Sequence, residues 1–371
     1  MTYLYGKTLP EMEKIVTDLG EAKFRARQIM DYLHKGYPDF ALMKTLGAPL
    51  IDKLSKSFQS LPIKDQSVLT SSDGATQKFL FELLDGEKIE TVLMRTSYGN
   101  SVCVSSQAGC AMGCLFCAST LLGLKRNLTA DEMMAQVLRC QWQLRTMLNS
   151  KCLMLNDKTP NGDKNNNDVT HVVIMGTGEP LANTDAVIEF MQRLHSELNI
   201  GYRRITLSTC GIIPEIKKLI DFGQPVNLAI SLHAPNDELR RRIMPIANKY
   251  TIAETLDAAF EFSSLHNRQL MIEYILLGGP GPMGAGVTNS SIECAEELAA
   301  LLKNKLVMVN LIPWNSVDER AGLFGQTSGN QIHRFQDILI RAGVHTRIRK
   351  ERGADINSAC GQLRAAGADR S

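Results

Sequence analysis

The chain has 371 residues, is 44% hydrophobic, and sets 41 Lys and Arg against 39 Asp and Glu, a formal net charge of +2. That length suits one large domain with a small accessory one, no run of about 18 apolar residues is present to span a bilayer, and the charge balance does not by itself argue for nucleic acid. The nine cysteines are odd in number and irregularly spaced, and "MTYLYGKTLPEMEKIV" lacks a signal-peptide pattern, so a disulfide framework is not expected and a cytoplasmic, reducing location is.

Residues 9–58 read as three helices, "LPEMEKIVTDLG", "FRARQIMDYLHKG" and "LGAPLIDKLSKSF", with apolar residues at helical spacing. They form a small accessory unit over residues 1–60. "SVLTSSDGATQKFLFELLDGEKIETVLMR" then shows two strand-like runs joined by "LDGEK", with a second turn at "SSDG". It is read as β-hairpin structure in a linker, residues 61–98. From residue 101 an order of apolar strand, loop and helix repeats, with strands at "SVCVSS", "THVVIMG", "RITLST", "VNLAISLH", "LMIEYILLG", "LVMVNLIP" and "VHTRIRK". Such alternation gives an α/β fold with a parallel sheet. The first six strands suit a complete or partial (β/α)6 barrel within residues 99–350, with its chemistry at the C-terminal strand ends. Periodicity alone does not separate that from a doubly wound sheet. The polar tract 149–169 reads as a long surface loop, and 351–371 as a C-terminal segment. Basic runs at 23–28, 202–204, 240–242 and 347–352 read equally as solvated faces or as phosphate contacts.

The first barrel strand leads into "GCAMGCLFCAS", which sets Cys110, Cys114 and Cys117 in a C-x3-C-x2-C frame. Zinc sites and most iron–sulfur sites are closed with four protein ligands. Three thiolates on a 4Fe–4S cluster leave one iron open to bind a further molecule. A zinc knuckle completed by a distant histidine is the other possibility. After the next strand comes "MGTGEP", in which Gly176 and Gly178 permit close backbone approach and Glu179 can accept from an ammonium.

The cysteine spacing, and Phe116 before the last cysteine, resemble the radical S-adenosylmethionine (SAM) superfamily. "CVSSQAGCAMGCLFCAS", "MGTGEPLAN", "ITLSTCG", "ISLHAPNDELR", "NLIPWN" and "ACGQL", in that order, resemble the RlmN/Cfr family of RNA adenine methyltransferases from about residue 66 onward. The N-terminal helices resemble that family's accessory domain less specifically. The resemblance implies a 4Fe–4S cluster on Cys110, Cys114 and Cys117. It also implies SAM held by Gly178, Glu179, Ser208, Ser231, Leu232, His233 and Asn310, with two SAM consumed per turnover. It further implies Cys360 as an S-methylcysteine carrier, Cys103 as the cysteine that resolves a protein–RNA adduct by a transient disulfide with Cys360, and Glu90 as proton acceptor. Composition alone would read Cys360 as a buried thiol, Cys103 as a small strand residue, Glu90 as a surface charge, His233 as a core histidine and Asn310 as a turn residue.

Implied partners are 23S rRNA, tRNA beside the anticodon and a flavodoxin-type electron donor; a monomer and no membrane are expected. Methylation at adenine C2 is favoured by the intact N-terminal helices, with C8 methylation as the alternative. Two rivals are a non-catalytic zinc-stabilised RNA-binding module and a radical SAM enzyme acting on a protein or small molecule. Cys140 and Cys294 are expected to pack helices. Cys210, beside Ser208, is left open.

Overall fold

The computed structural model describes residues 2–154, 168–279, 287–315, 323–349, 353–357 and 361–363, without the side chains of 148–154 and 354. Cys360 and the Cys152 side chain lie outside the described residues. The strands are β1 (Thr2–Tyr3), β2 (Phe58–Gln59), β3 (Ile63–Thr70), β4 (Thr76–Leu83), β5 (Lys88–Thr96), β6 (Gly99–Cys103), β7 (Gln107–Gly109), β8 (Leu124–Asn127), β9 (Val169–Ile174), β10 (Ile205–Thr209), β11 (Asn227–Ser231), β12 (Leu270–Leu276), β13 (Val307–Pro313) and β14 (His345–Ile348). The helices are α1 (Leu9–Asp18), α2 (Phe24–His34), α3 (Ala48–Ser57), α4 (Ala130–Met154), α5 (Thr184–Leu198), α6 (Ile213–Phe222), α7 (Asp237–Ile243), α8 (Ile252–Leu265), α9 (Ile292–Leu302) and α10 (Gly329–Arg341).

Each N-terminal helix turns one apolar stripe inward: Met12 and Val16, then Ala26, Ile29 and Leu33, then Leu50 and Leu54 are buried. A polar seam seats this unit on α4 and α5. Tyr3 Oη donates to Asp131 at 2.9 Å and Tyr5 Oη to Glu197 at 2.8 Å, while Arg193 donates to both carboxylates at 2.6 Å and lies over the Tyr5 ring.

Among the described residues the main sheet has ten strands in the order β14-β13-β12-β11-β10-β9-β6-β5-β4-β3. From β6 through β14 neighbours run parallel, and from β3 to β6 antiparallel. The helical crossovers expected from the alternation are α4, α5, α6, α8, α9 and α10. Caps fix their ends where the sequence offers them. Thr251 Oγ1 accepts from Glu254 N at 3.2 Å while the Glu254 carboxylate accepts from Thr251 N at 2.9 Å, and α6 stops at Gly223 with φ +69°. Residues of β10, β11, β12 and β13 line one cavity, so the sheet curls as a partial barrel, open between its edges β14 and β3.

Three details differ from the sequence reading. Residues 63–96 make three strands rather than two runs, and β5 pairs directly with β6. Helix α4 runs on to Met154, so the start of the expected 149–169 loop is helical; residues 155–167 lie outside the described ones. Arg240 of the "RRR" run is fully buried, whereas Arg241 and Arg242 are exposed. Cys140 is buried in α4 and Cys294 half-buried in α9, as helix packing requires. Among the described residues no helix is long and apolar enough to cross a membrane.

Candidate active site

The cysteine loop leaves and re-enters the barrel through the β7–β8 pair, whose closure is extended by Cys110 N donating to Gly123 O at 3.1 Å. Hydrogen bonds to its backbone fix the loop from three other sides. Leu115 N donates to Ile243 O at 3.0 Å, Ala118 N to Gly361 O at 2.8 Å, and Trp314 Nε1 to Phe116 O at 3.4 Å. Cys110, Cys114 and Cys117 thereby line a single cavity together with Phe116, Gly178, Glu179, Ser208, Cys210, Ser231 and His233. Burial pushes the Cys110 thiol up to about 11 and the Cys114 thiol well above its usual value, so metal loading here must displace protons. Among the described residues no three His, Cys, Asp or Glu side chains converge on a point that would hold one ion. The ligands of an iron–sulfur cube attach to separate irons and need no such convergence.

The loop after β9 presses against the strand before the cysteines. Gly178 has φ +110°, and a Cβ there would stand 2.6 Å from Gln107 Cβ and 2.9 Å from Gln107 N. Only glycine fits that approach. Next to it, Glu179 is buried: Oε1 accepts from Leu181 N at 3.0 Å and Oε2 from Cys210 N at 2.8 Å. Burial raises its pKa, opposed by these bonds. The Thr209 and Cys210 side chains bond the same carboxylate. Ser208 and Ser231, on adjacent strands, bring their hydroxyls to 3.3 Å.

Ser231 and His233 share the cavity, but not by continuation of β11, which ends at Ser231. His233 takes φ +59°, and that left-handed turn aims its ring inward. Nδ1 accepts from Ile275 N at 3.0 Å, which leaves the proton on Nε2, and Phe116 packs edge-on at 4.7 Å between ring centroids. Burial, with Arg240 nearby, lowers the His233 pKa to about 3. The folded value lies below the ordinary 6.5, so His233 contributes stability fully above pH 6.5 and loses it as pH falls towards 3. Chemical unfolding at pH 7 and pH 4 is therefore expected to cost the wild type more than His233→Gln over the same interval, by at most about 1.4 kcal/mol per pH unit. Equal losses would remove the buried-neutral assignment.

Asn310 and Leu232 stand behind the cavity wall. Asn310 lies in the middle of β13 rather than at its end, and its Nδ2 donates to Glu273 at 2.8 Å; Glu273 lines the cavity, with Arg349 at 3.6 Å. Leu232 is buried and meets its surroundings through its backbone: its N donates to Glu273 O at 3.1 Å. The sequence reading missed Glu273, although a lone carboxylate inside "LMIEYILLG" was a usable signal. It also missed Arg349, which was counted in a basic run, and it left Cys210 open; Cys210 is now seen in the cavity wall.

Glu90 is not a surface charge. It is 4% exposed and pairs with Lys78 at 2.9 Å. Cys103 faces the same side of the sheet, in a row of directly paired residues that runs Lys78, Val92, Cys103, Val173. Glu90 is two residues from Val92 on that face. Cys103 packs with Val92 and Leu363. The described pieces of the C-terminal segment lie against this row: Lys78 Nζ donates to Asn357 O at 3.2 Å, and Ser119 Oγ to Leu363 O at 2.7 Å. Gly361, the residue after Cys360, lines the cavity. The structure thus gathers the cysteine loop, the Gly-Glu loop, Ser208, Ser231 and His233 around one space, with Glu90 and Cys103 on the barrel's inner face.

A partial α/β barrel with a three-cysteine loop after its first parallel strand and a Gly-Glu loop after its second defines a radical SAM enzyme, and residues 162–282 match the family profile described as the Radical SAM superfamily. Residues 2–59 match the ribosomal RNA large subunit methyltransferase N-terminal domain. The fold is similar to the crystal structure of a radical SAM methyltransferase from Sphaerobacter thermophilus, with TM-score 0.81 and 38% identity over 99% of this chain and 100% of that one. Two similar sequences, each called probable dual-specificity RNA methyltransferase RlmN, come from Alkaliphilus oremlandii (44% identity, 97% of both chains) and Bacillus cereus (45% identity, 98% of this chain and 93% of that one). The chain belongs to the RlmN family of radical SAM RNA methyltransferases. That membership replaces the readings as a zinc-stabilised binding module and as an enzyme acting on a protein or small molecule.

Proposed function

We propose that the chain methylates carbon 2 of an adenine in 23S rRNA, and of an adenine beside the anticodon in tRNA, through a methyl group carried on Cys360 and a transient covalent link to the RNA. The observation that carries this reading is the bracketing of Cys360 in sequence. Asn357 is tied to the Lys78 that pairs with Glu90, Gly361 lines the cavity of the three cysteines, and Leu363 packs on Cys103. An adenine ring carbon is electron-poor and does not attack a methyl donor as an amine would, so the methyl group is first placed on a protein sulfur.

The donor set fits the cofactors. Cys110, Cys114 and Cys117 would hold a 4Fe–4S cluster, while Gly178, Glu179, Ser208, Ser231, Leu232, His233 and Asn310 would hold SAM, directly or through the residues they touch. When bound, cluster and SAM supply a methyl group and an adenosyl radical, one SAM for each. Glu179 offers its carboxylate to an ammonium, and the two serine hydroxyls and the His233 Nε2–H offer further polar contacts in the wall. Glu90 takes the proton leaving the ring carbon. Cys103 as its thiolate attacks the Cys360 sulfur, the electron pair of the sulfur–carbon bond leaves with the transferred carbon, which takes up a proton to complete the methyl group, and a Cys103–Cys360 disulfide remains; the one electron released when the ring carbon loses its proton would return to the cluster. The target adenine must be splayed out of its stack to reach the cavity. A flavodoxin-type electron donor, a monomeric chain and a cytoplasmic site of action complete the proposal.

Mass spectrometry of nucleosides from cells with and without the gene tests it. Loss of 2-methyladenosine from both 23S rRNA and tRNA is expected. Loss of 8-methyladenosine instead would overturn the C2 assignment, and loss from only one RNA class would overturn the dual one.

A further inference from the structure

Arg240 is a fully buried guanidinium to which no carboxylate among the described residues is hydrogen-bonded. Nε donates to Leu232 O at 3.2 Å, and Nη2 to Cys210 O at 2.7 Å and Ser231 O at 3.3 Å. Nη1 is buried and has no hydrogen-bond partner among the described residues. A buried cation whose only partners are neutral carbonyls is costly unless a counter-charge is supplied, and a buried donor left unmade costs further.

The missing charge is on the cavity side. Arg240 sits on α7, and the cysteine loop rests on the end of that helix: Leu115 N donates to Ile243 O at 3.0 Å, and Pro245 packs beneath Gly113. Those contacts flank Cys114 on both sides. Cys114 and Cys210 share one buried apolar cluster with Ile243 and Met244. Burial lowers the Arg240 pKa, opposed by the Cys210 and Cys114 thiols and then by the Asp237 carboxylate, which is itself bonded to Ile252 N at 2.7 Å and not to the guanidinium. A cubane core held by three thiolates carries net negative charge and gains one more on reduction, and hydrogen bonds to its sulfurs are a recognised control on its potential.

We propose that Arg240 is the internal counter-charge of the iron–sulfur cluster, with Nη1 donating to the sulfur side of the cluster beside Cys114 and favouring its reduced form. The proposal rests on the reading of the three cysteines as cluster ligands, and the test separates the two.

Anaerobic redox titration of the reconstituted enzyme, followed by EPR of the reduced cluster, compares wild type with Arg240→Gln and Arg240→Lys. A protein that binds iron and sulfide in wild-type form establishes the cluster; a wild type that binds none would sink the cysteine reading instead. Arg240→Gln keeps donors for the carbonyls but not the charge, so its midpoint potential is expected to move to more negative values, with Arg240→Lys lying between. A cluster-bearing Arg240→Gln with the wild-type potential overturns the proposal. Should Arg240→Gln fail to hold a cluster, pulsed EPR of protein with 15N-labelled arginine decides, in the Arg349→Lys background that removes the guanidinium lining the cavity. A 15N coupling to the reduced cluster supports Arg240, and its absence overturns it.

Discussion

Cys103→Ala is expected to convert the enzyme into a trap for its own substrate. Methyl loading and addition to RNA need the cluster loop and Cys360, and Cys103 is in neither. Release of the adduct needs a second thiol at the Cys360 sulfur, and Cys103, packed on Leu363, is the candidate the barrel face presents. A retarded, RNase-sensitive band should accumulate on a denaturing gel, at no more than about one RNA per chain, with turnover lost. Cys360→Ala should show neither the band nor S-methylcysteine, and no methylated RNA. Normal turnover by Cys103→Ala, or methylated RNA from Cys360→Ala, would reject the two-cysteine scheme while leaving the SAM site assignment standing.

Gly178→Ala should weaken SAM binding sharply. The backbone at φ +110° is one that side chains rarely adopt, a strain of about 1–3 kcal/mol. The new Cβ would also press on Gln107, partly against backbone, which adds roughly 1–3 kcal/mol of overpacking. Gln107 Oε1 accepts from Glu179 N at 2.8 Å, so the displaced partner takes the Glu179 carboxylate with it. SAM affinity is expected to fall about tenfold to a hundredfold, as 1.4–2.8 kcal/mol would give, while the cluster colour survives. Gly201→Ala, with open space around it and ordinary φ, is the neutral control. Equal SAM binding by wild type and Gly178→Ala in a titration would refute the cradle assignment.

Much of the barrel was legible because each strand is a short apolar run bounded by loop residues, and burial on both faces writes that run into the sequence. The site motifs were legible because close approach and metal ligation restrict residue type: Gly178 and the three cysteines have few substitutes. Side-chain direction was harder to read. Arg240 sits among two other arginines, and nothing local distinguishes the one that turns inward; its partners Cys210, Ser231 and Leu232 lie at the ends of β10 and β11, which only the fold brings beside α7. The burial of Glu90 depends likewise on Lys78 across a ladder. Asn310 was expected at or just beyond a strand end with the other SAM residues, where barrel sites belong, yet β13 continues three residues past it. Pairing of β5 with β6 could not be read either, since hydrophobic alternation sets faces and not neighbours.

That last pairing has a consequence for how the molecule can be taken apart. Residues before Gly99 look from the sequence like an attachment, which invites trimming to a minimal barrel. In the sheet, β3, β4 and β5 cover the flank of β6, and β6 carries Cys103 into the cysteine loop. A fragment starting at β6 would expose a row of unpaired backbone groups beside Val102 and Cys103, a template for edge-to-edge association between copies. It would also leave behind Glu90 and the Lys78 contact to Asn357. Such a fragment should aggregate rather than behave as a smaller enzyme, so a shortened form for crystallisation or directed evolution must retain residue 63 onward.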